Sequence, residues 1–161
     1  QGENMLKKYR SINFIITLLI IIATISGCSV DTHQDNLKEN INHTIVVEEN
    51  GEYQSKIEVA EYIHIYKKLP SNYITKNEAK KMGWPDEGTL DKILPGKSIG
   101  GDKFGNYENK LPKVPGRVYR ECDIDYNGGK RNAKRIVYSN DGNIYYTEDH
   151  YNSFEHLYGD D

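Results

Sequence analysis

Cysteine is nearly absent from this chain. Its 161 residues carry two, Cys28 and Cys122, and only Cys122 falls in the stretch that reads as a folded domain. No disulfide can form within that domain, so its stability must come from a buried core, even in an exported protein. The five histidines, His33, His43, His64, His150 and His156, are scattered, and no Cys/His pair has ligand spacing. That argues against a metal centre. A dominant charge sign is lacking as well: residues 51–161 hold 17 Lys and Arg against 18 Asp and Glu, a net of −1. A nucleic-acid binder is commonly basic overall, so here any positive potential must be local, gathered in one cleft. There is no internal repeat and no low-complexity segment.

The single long apolar run, Phe14 to Ile25, follows the basic Lys7, Lys8 and Arg10. It is short for a membrane span of ~20 residues and fits the apolar part of a secretory signal. A retained membrane anchor is the alternative. Met5 is the expected start. Ile25-Ser26-Gly27-Cys28 resembles a bacterial lipobox, which makes Cys28 the expected lipidation site and a membrane tether the expected consequence; plain secretion with cleavage near Gly27 is the other outcome. The expected organisation is a signal over 1–28, a polar tether over 29–50, and one domain over 51–161, which is ~110 residues and an ordinary domain size.

Within that domain, Ile57, Ala60, Ile63 and Tyr66, widened by Val59 and Tyr62, predict a helix over Glu52–Lys68, ended by Pro70. Thr75-Lys76-Asn77-Glu78 is a capping box, which opens a second short helix with Lys76 at its first position and Gly83 at its close. Thr89 to Leu94 reads as a further single turn. The chain then becomes β-like. Val118, Arg120, Cys122, Ile124 and Tyr126 alternate with Arg117, Tyr119, Glu121, Asp123 and Asp125, so the two sets face opposite sides of a sheet. Arg135–Ser139 and Asn143–Thr147 form a hairpin about Asn140-Asp141-Gly142, and Ser153–Tyr158 is a last strand. Helices followed by an antiparallel meander read as α+β, with N-terminal helices packed on a twisted antiparallel sheet. Cys122 and Trp84 read as core, His64 and His156 as surface or half-buried.

The chemistry-bearing residues are Glu121, His150 and the cations around them, Lys76, Arg131 and Arg135. RNA carries its own nucleophile, the 2′-hydroxyl. Its cleavage needs a base for that proton, cations for the charge on phosphorus, and an acid for the departing 5′-oxygen. Carboxylates titrate near ~4.3 and imidazoles near ~6.5, so between those values one is a base and the other an acid. Guanidinium and ammonium groups then hold the phosphoryl oxygens, and no metal or other cofactor is required. Singly, each residue has a bland reading as a solvated strand face, a polar turn or a surface ion pair. Only convergence in space makes them a site.

Longer runs carry a resemblance. Lys68-Leu69-Pro70-Ser71-Asn72-Tyr73-Ile74-Thr75-Lys76, Gly83-Trp84, Pro95-Gly96-Lys97-Ser98-Ile99-Gly100-Gly101-Asp102, Lys110-Leu111-Pro112, Tyr119-Arg120-Glu121, Arg131-Asn132 and Asp149-His150-Tyr151 occur in order. The stretch from about Tyr62 to Tyr158 resembles the barnase-type family of small secreted guanyl-preferring microbial ribonucleases. The resemblance implies Glu121 as general base, His150 as general acid, and Lys76, Arg131 and Arg135 as phosphate-binding cations. It further implies that Phe104, Asn106, Tyr107 and Glu108 belong to the loop that reads guanine, and that Tyr151 lines the base site. The implied reaction is transesterification to a 2′,3′-cyclic phosphate, then hydrolysis with the acid and base roles reversed. The implied substrate is single-stranded RNA; the implied partner is a small acidic inhibitor of the barstar type; the implied state is a monomer, extracellular or tethered.

The chain departs from that family in five respects. Tyr107 stands where it usually has arginine, Lys130 replaces an aromatic residue, the Trp84–Pro95 segment is one residue shorter, the charge balance is anionic, and the signal is lipobox-like. Tyr107 removes a cation from the rim and offers a stacking ring in its place. A non-catalytic binding module with the same fold is the alternative reading.

Overall fold

Ser55, not Glu52, starts the first helix. Its backbone is extended (φ −75°, ψ 152°), its hydroxyl accepts from the Glu58 amide, and it donates to the Glu58 carboxylate at 2.5 Å. Helix α1 therefore spans Lys56–Tyr66, shorter than the periodicity predicts. It ends before Pro70 because Lys67 adopts a left-handed conformation (φ 55°) and returns its N–H to Ile63. The buried stripe is Val59, Ala60, Tyr62 and Ile63, while Ile57 is 55% exposed at its margin. The computed structural model describes residues 45–86 and 88–160. The signal segment, Cys28 and most of the tether lie outside the described residues.

The packed body begins before Gly51. Val47 is buried, its carbonyl accepts from the Tyr66 hydroxyl, and the Glu49 carbonyl accepts from Tyr62 at 2.6 Å. Two α1 tyrosines thus pin residues that the polar composition had assigned to the tether.

Helix α2, Lys76–Lys81, carries the predicted capping box at Thr75 and Glu78, and a 3₁₀ turn covers Leu90–Lys92. The strands are β1 (Tyr73–Ile74), β2 (Ser98–Phe104), β3 (Tyr119–Asp123), β4 (Arg135–Ser139), β5 (Ile144–Thr147) and β6 (Glu155–Tyr158), in one sheet of that order. The α+β class holds. The sheet is antiparallel from β2 onward, but β1 joins β2 in parallel, so it is mixed. The alternation pattern did not reveal β2, whose Ile99-Gly100-Gly101-Asp102 is poor strand sequence. Gly100 is there for clearance: a Cβ would lie 2.6 Å from that of Cys122 and 2.7 Å from the Tyr73 ring. A bulge between Gly100 and Asp102, with Gly101 at φ 93°, then re-aims the strand toward the site.

One sheet face packs Cys122, Ile124, Ile136, Ile144 and Tyr146 against Val59, Ala60 and Ile63 of α1. Each of the valine and isoleucine side chains contributes about 1.5–3 kcal/mol of burial. A second cluster joins Ala79 of α2, Trp84, Leu90, Leu94, Ile99 and Tyr126; Trp84 is an anchor, as expected. The opposite sheet face carries a smaller apolar cluster of Leu111, Tyr119, Val137 and Tyr145, with Phe104, Tyr151 and Phe154 packed on it. This third cluster is the floor on which the site stands.

Candidate active site

Strand β3 alternates as the sequence implies. Cys122 points into the helix-side core, and Glu121 points to the other face with its side chain 13% exposed. Two donors meet its carboxylate. Lys76 Nζ lies 3.2 Å from Oε1, and the Tyr151 hydroxyl donates to Oε2. Lys76 is placed by α2: its amide, at the first helical position, donates to Asp102 Oδ2 at 2.9 Å, which ties that helix to β2. Burial, then the Glu121 hydrogen bond and charge, push the Tyr151 phenol well above its ordinary pKa, so it remains a donor.

His150 and Tyr151 both have left-handed backbones, φ 57° and 71°. Non-glycine residues hold such angles only when their surroundings insist. Asp149 supplies that insistence. Its Oδ1 accepts from the Thr147 hydroxyl and from the amides of Asn152 and Ser153, each at 2.9 Å, and its Oδ2 accepts from the Ser153 hydroxyl at 2.6 Å. The Tyr151 amide donates to Thr147 Oγ1 at 3.0 Å, and the His150 amide to Ala133 O at 3.2 Å. The result is an exposed imidazole at the rim and a half-buried phenol beneath it.

These hydrogen bonds, that from the Ser153 side chain first, hold the Asp149 carboxyl down to about 2. A carboxyl depressed in the folded state stabilises it above the unfolded value and loses that contribution as pH falls through the folded one. Asp149→Asn should therefore melt below the parent at pH 5, with the gap closing toward pH 2 in a thermal scan. Its turnover should fall as well, because the imidazole is no longer aimed. An unchanged melting gap across that range would show that the turn does not depend on this carboxylate.

Residues 104–111 form the loop opposite. Asn106 is buried at φ 44°, and its amide clamps the loop, donating to Leu111 O at 2.8 Å and accepting from Leu111 N at 3.1 Å. Its side chain is thus used internally, so any reading of a base beside it falls to backbone groups and to Glu108. The Glu108 carboxylate is exposed and paired with Lys110 at 2.7 Å, which lowers its pKa. Tyr107 is 93% exposed. Its ring lies over Gly105, where a Cβ would come within 2.2 Å of it. Phe104 packs on Tyr151 with centroids 5.2 Å apart.

One cleft of about 480 Å³ is lined by Lys76, Phe104, Asn106, Tyr107, Glu108, Glu121, His150 and Tyr151 together. Arg131 and Arg135 are not among its lining residues. They sit on Asp123, the residue two beyond Glu121 and register partner of Arg135. Arg131 grips Asp123 with Nε and Nη2, both at 2.6 Å, and makes no other side-chain hydrogen bond to the described residues. Burial would weaken the Arg131 guanidinium's hold on its proton, but the Asp123 bonds and charge outweigh that and raise its pKa. Arg135 is 4% exposed; its Nε lies 2.9 Å from Asp123 Oδ1 in a geometry that makes an ion pair rather than a hydrogen bond, and its Nη1 donates to Asn132 O and Lys134 O.

Sequence reasoning missed Asp123, which is only 2% exposed. The signal was there: two arginines beside a core strand need a buried anion, and Asp123 shares its face with Glu121. It also missed Lys103, Lys110, Asn152 and Phe154, which with Gly105 complete the cleft lining.

A family model described as ribonuclease matches residues 56–158. The chain belongs to the ribonuclease family. A curated ribonuclease of Heyndrickxia coagulans is 53% identical over 100 residues, covering 62% of this chain and 92% of that protein. Ribonucleases of Bacillus intermedius and Bacillus pumilus are each 53% identical over 100 residues, covering 62% of this chain and 62% of their own length. The matched region contains every residue that lines the cleft, together with Asp123, Arg131 and Arg135. The microbial ribonuclease fold expected from the sequence is the fold observed.

Proposed function

We propose that this ribonuclease is an exported endonuclease that cleaves single-stranded RNA after guanosine without a metal. The observation that carries the reading is the Glu121 carboxylate, held by Lys76 and Tyr151 on the floor of a cleft with His150 at its rim. Both donors fix the carboxylate's orientation. It takes the proton of the 2′-hydroxyl as the 2′-oxygen attacks phosphorus. The bond to the 5′-oxygen breaks, and that oxygen leaves with a proton from His150. The products are a 2′,3′-cyclic phosphate and a free 5′-hydroxyl. Water then adds with the roles exchanged, His150 taking its proton and Glu121 returning one to the 2′-oxygen. Lys76 supplies fixed positive charge inside the cleft where the phosphorane becomes more negative; Arg131 and Arg135 add to that field from outside the lining, and Asp123 keeps the two arginines from having to reorganise.

Guanine preference rests on the 104–108 loop. Glu108 would exchange its Lys110 partner for the ring N–H and amino group of the base, with Phe104 and Tyr151 beneath and Tyr107 stacking at the rim, a contact worth about 1–3 kcal/mol. An acidic protein inhibitor of this cleft, a lipid tether through Cys28, a monomeric state and an extracellular location complete the reading. Such an inhibitor would owe its association rate to charge complementarity.

The test is the full chain incubated with GpA and ApA at mildly acidic pH with EDTA present. Release of guanosine 2′,3′-cyclic phosphate in preference to the adenosine product is the expected result. His150→Ala should lower kcat by about 10²–10⁴-fold, with recovery on substrates whose leaving group needs no proton. Cleavage without base preference would remove the guanine assignment and leave the acid–base pair standing. Dependence on added metal would remove the mechanism.

A further inference from the structure

The concave surface continues past the base loop. On the far side of residues 104–106 lies a second groove of about 460 Å³, bounded by the end of β2, the 112–118 segment and Tyr119. It shares Lys103, Phe104, Gly105 and Asn106 with the active-site cleft, so the loop is a ridge between two adjoining hollows. Every charged residue in its lining is a cation, Lys103, Lys113 and Arg117, and no Asp or Glu lines it. Arg117 is a wall, 7% exposed and paired with Asp141 at 2.6 Å. Lys103 and Lys113 are exposed and, among the described residues, form no ion pair. Beside them Val114 and Val118 are 44% and 39% exposed. An acid-free hollow with two uncommitted lysines and an apolar flank stands out on a domain whose net charge is −1.

We propose that this groove binds a further nucleotide of single-stranded RNA, beyond the dinucleotide step that is cut. Lys103 and Lys113 contact backbone phosphates, Val114, Pro115 and Val118 receive the base or ribose, and the strand crosses the 104–106 ridge to reach them. The proposal rests on the RNA-cleaving reading of the cleft. RNA is favoured over a protein partner because the groove is continuous with that cleft and its charge matches a phosphate chain. A backbone contact raises affinity without regard to sequence and makes it salt-dependent.

Two measurements on the full chain test it, each with Lys113→Glu and with Lys92→Glu, an exposed lysine outside the groove, as control. The first is binding of a labelled 2′-deoxy hexanucleotide, which cannot be cleaved for want of the 2′-hydroxyl. Lys113→Glu should bind it about tenfold more weakly and reduce the slope of log K against log salt by ~0.7. The second is cleavage of GpA, which does not reach the groove and should proceed at the parent rate. Hexanucleotide binding equal to the parent's, or an equal loss in Lys92→Glu, would overturn the proposal and point to a partner other than RNA or to charge in general. A loss of GpA cleavage equal to the loss of binding would overturn it too, placing Lys113 in the cleft's own action. A parent that fails on GpA yet shows the groove-dependent binding would remove the cleavage mechanism and leave the groove as an RNA site.

Discussion

Glu121→Ala should lower kcat on RNA by about 10²–10⁴-fold while the protein stays folded. The carboxylate is the one acceptor on the cleft floor that both Lys76 and Tyr151 serve, and alanine leaves no group there to take the 2′-hydroxyl proton. Stability should change by no more than about 1 kcal/mol. The ion pair with Lys76 is partly solvated, Lys76 being 35% exposed, and water can replace what the two donors lose. Glu121→Gln separates chemistry from shape: it keeps the volume and can still accept from Tyr151, but it cannot accept a proton. Both variants should lose kcat with KM little changed, the sign of an interaction needed in the transition state. If Glu121→Gln retains parental kcat, Glu121 is not the base.

Asp123→Ala should cost about 3–5 kcal/mol of folding stability. This one carboxylate, 2% exposed, balances two guanidinium groups, one of them 4% exposed. Its removal leaves Arg135 buried without a counter-ion on a core strand. Against a total of ~5–15 kcal/mol that is a large fraction, and the thermal midpoint of a domain this size should drop by well over 10 °C at about 4–8 °C per kcal/mol. Urea unfolding compares it with Glu155→Ala, which breaks the exposed Lys56–Glu155 pair and should cost ~1 kcal/mol or less. Similar costs for the two would mean that Arg131 and Arg135 are held by something other than Asp123. Activity should fall along with stability, because the arginines lose the group that positions them beside the cleft.

Asp123 also marks where the sequence stopped being legible. Alternation along β3 put Glu121 and Asp123 on one face and Cys122 and Ile124 on the other, because a strand has no other choice. It could not show that the shared face is open cleft at Glu121 and sealed at Asp123. Burial there is decided by what crosses above, namely Arg131 and Arg135 from the next turn and strand. The same holds for Asn106. Its place in the 104–111 loop was readable, but only the fold showed its amide spent on Leu111. Strand β2 escaped notice because local propensity disfavours Gly-Gly in a strand. The close approach of Tyr73 and Cys122 overrides that preference and demands glycine.

By itself the sequence determined the α+β class, the capping box that sets Lys76 at a helix start, the hairpin, the faces of β3, and the family through its long ordered runs. These are local properties: periodicity, capping and turn chemistry act over a few residues and are written in order along the chain. Only the tertiary structure decided which side chains share a cleft, that two arginines stand on one buried carboxylate, and that Asp149 braces the turn carrying His150. It also revealed a second, acid-free groove behind residues 104–106. Those facts depend on contacts between residues far apart in sequence, such as Lys76 with Glu121 and Glu121 with Tyr151. No local pattern encodes them, because the sheet's order, twist and bulges set which distant residues meet.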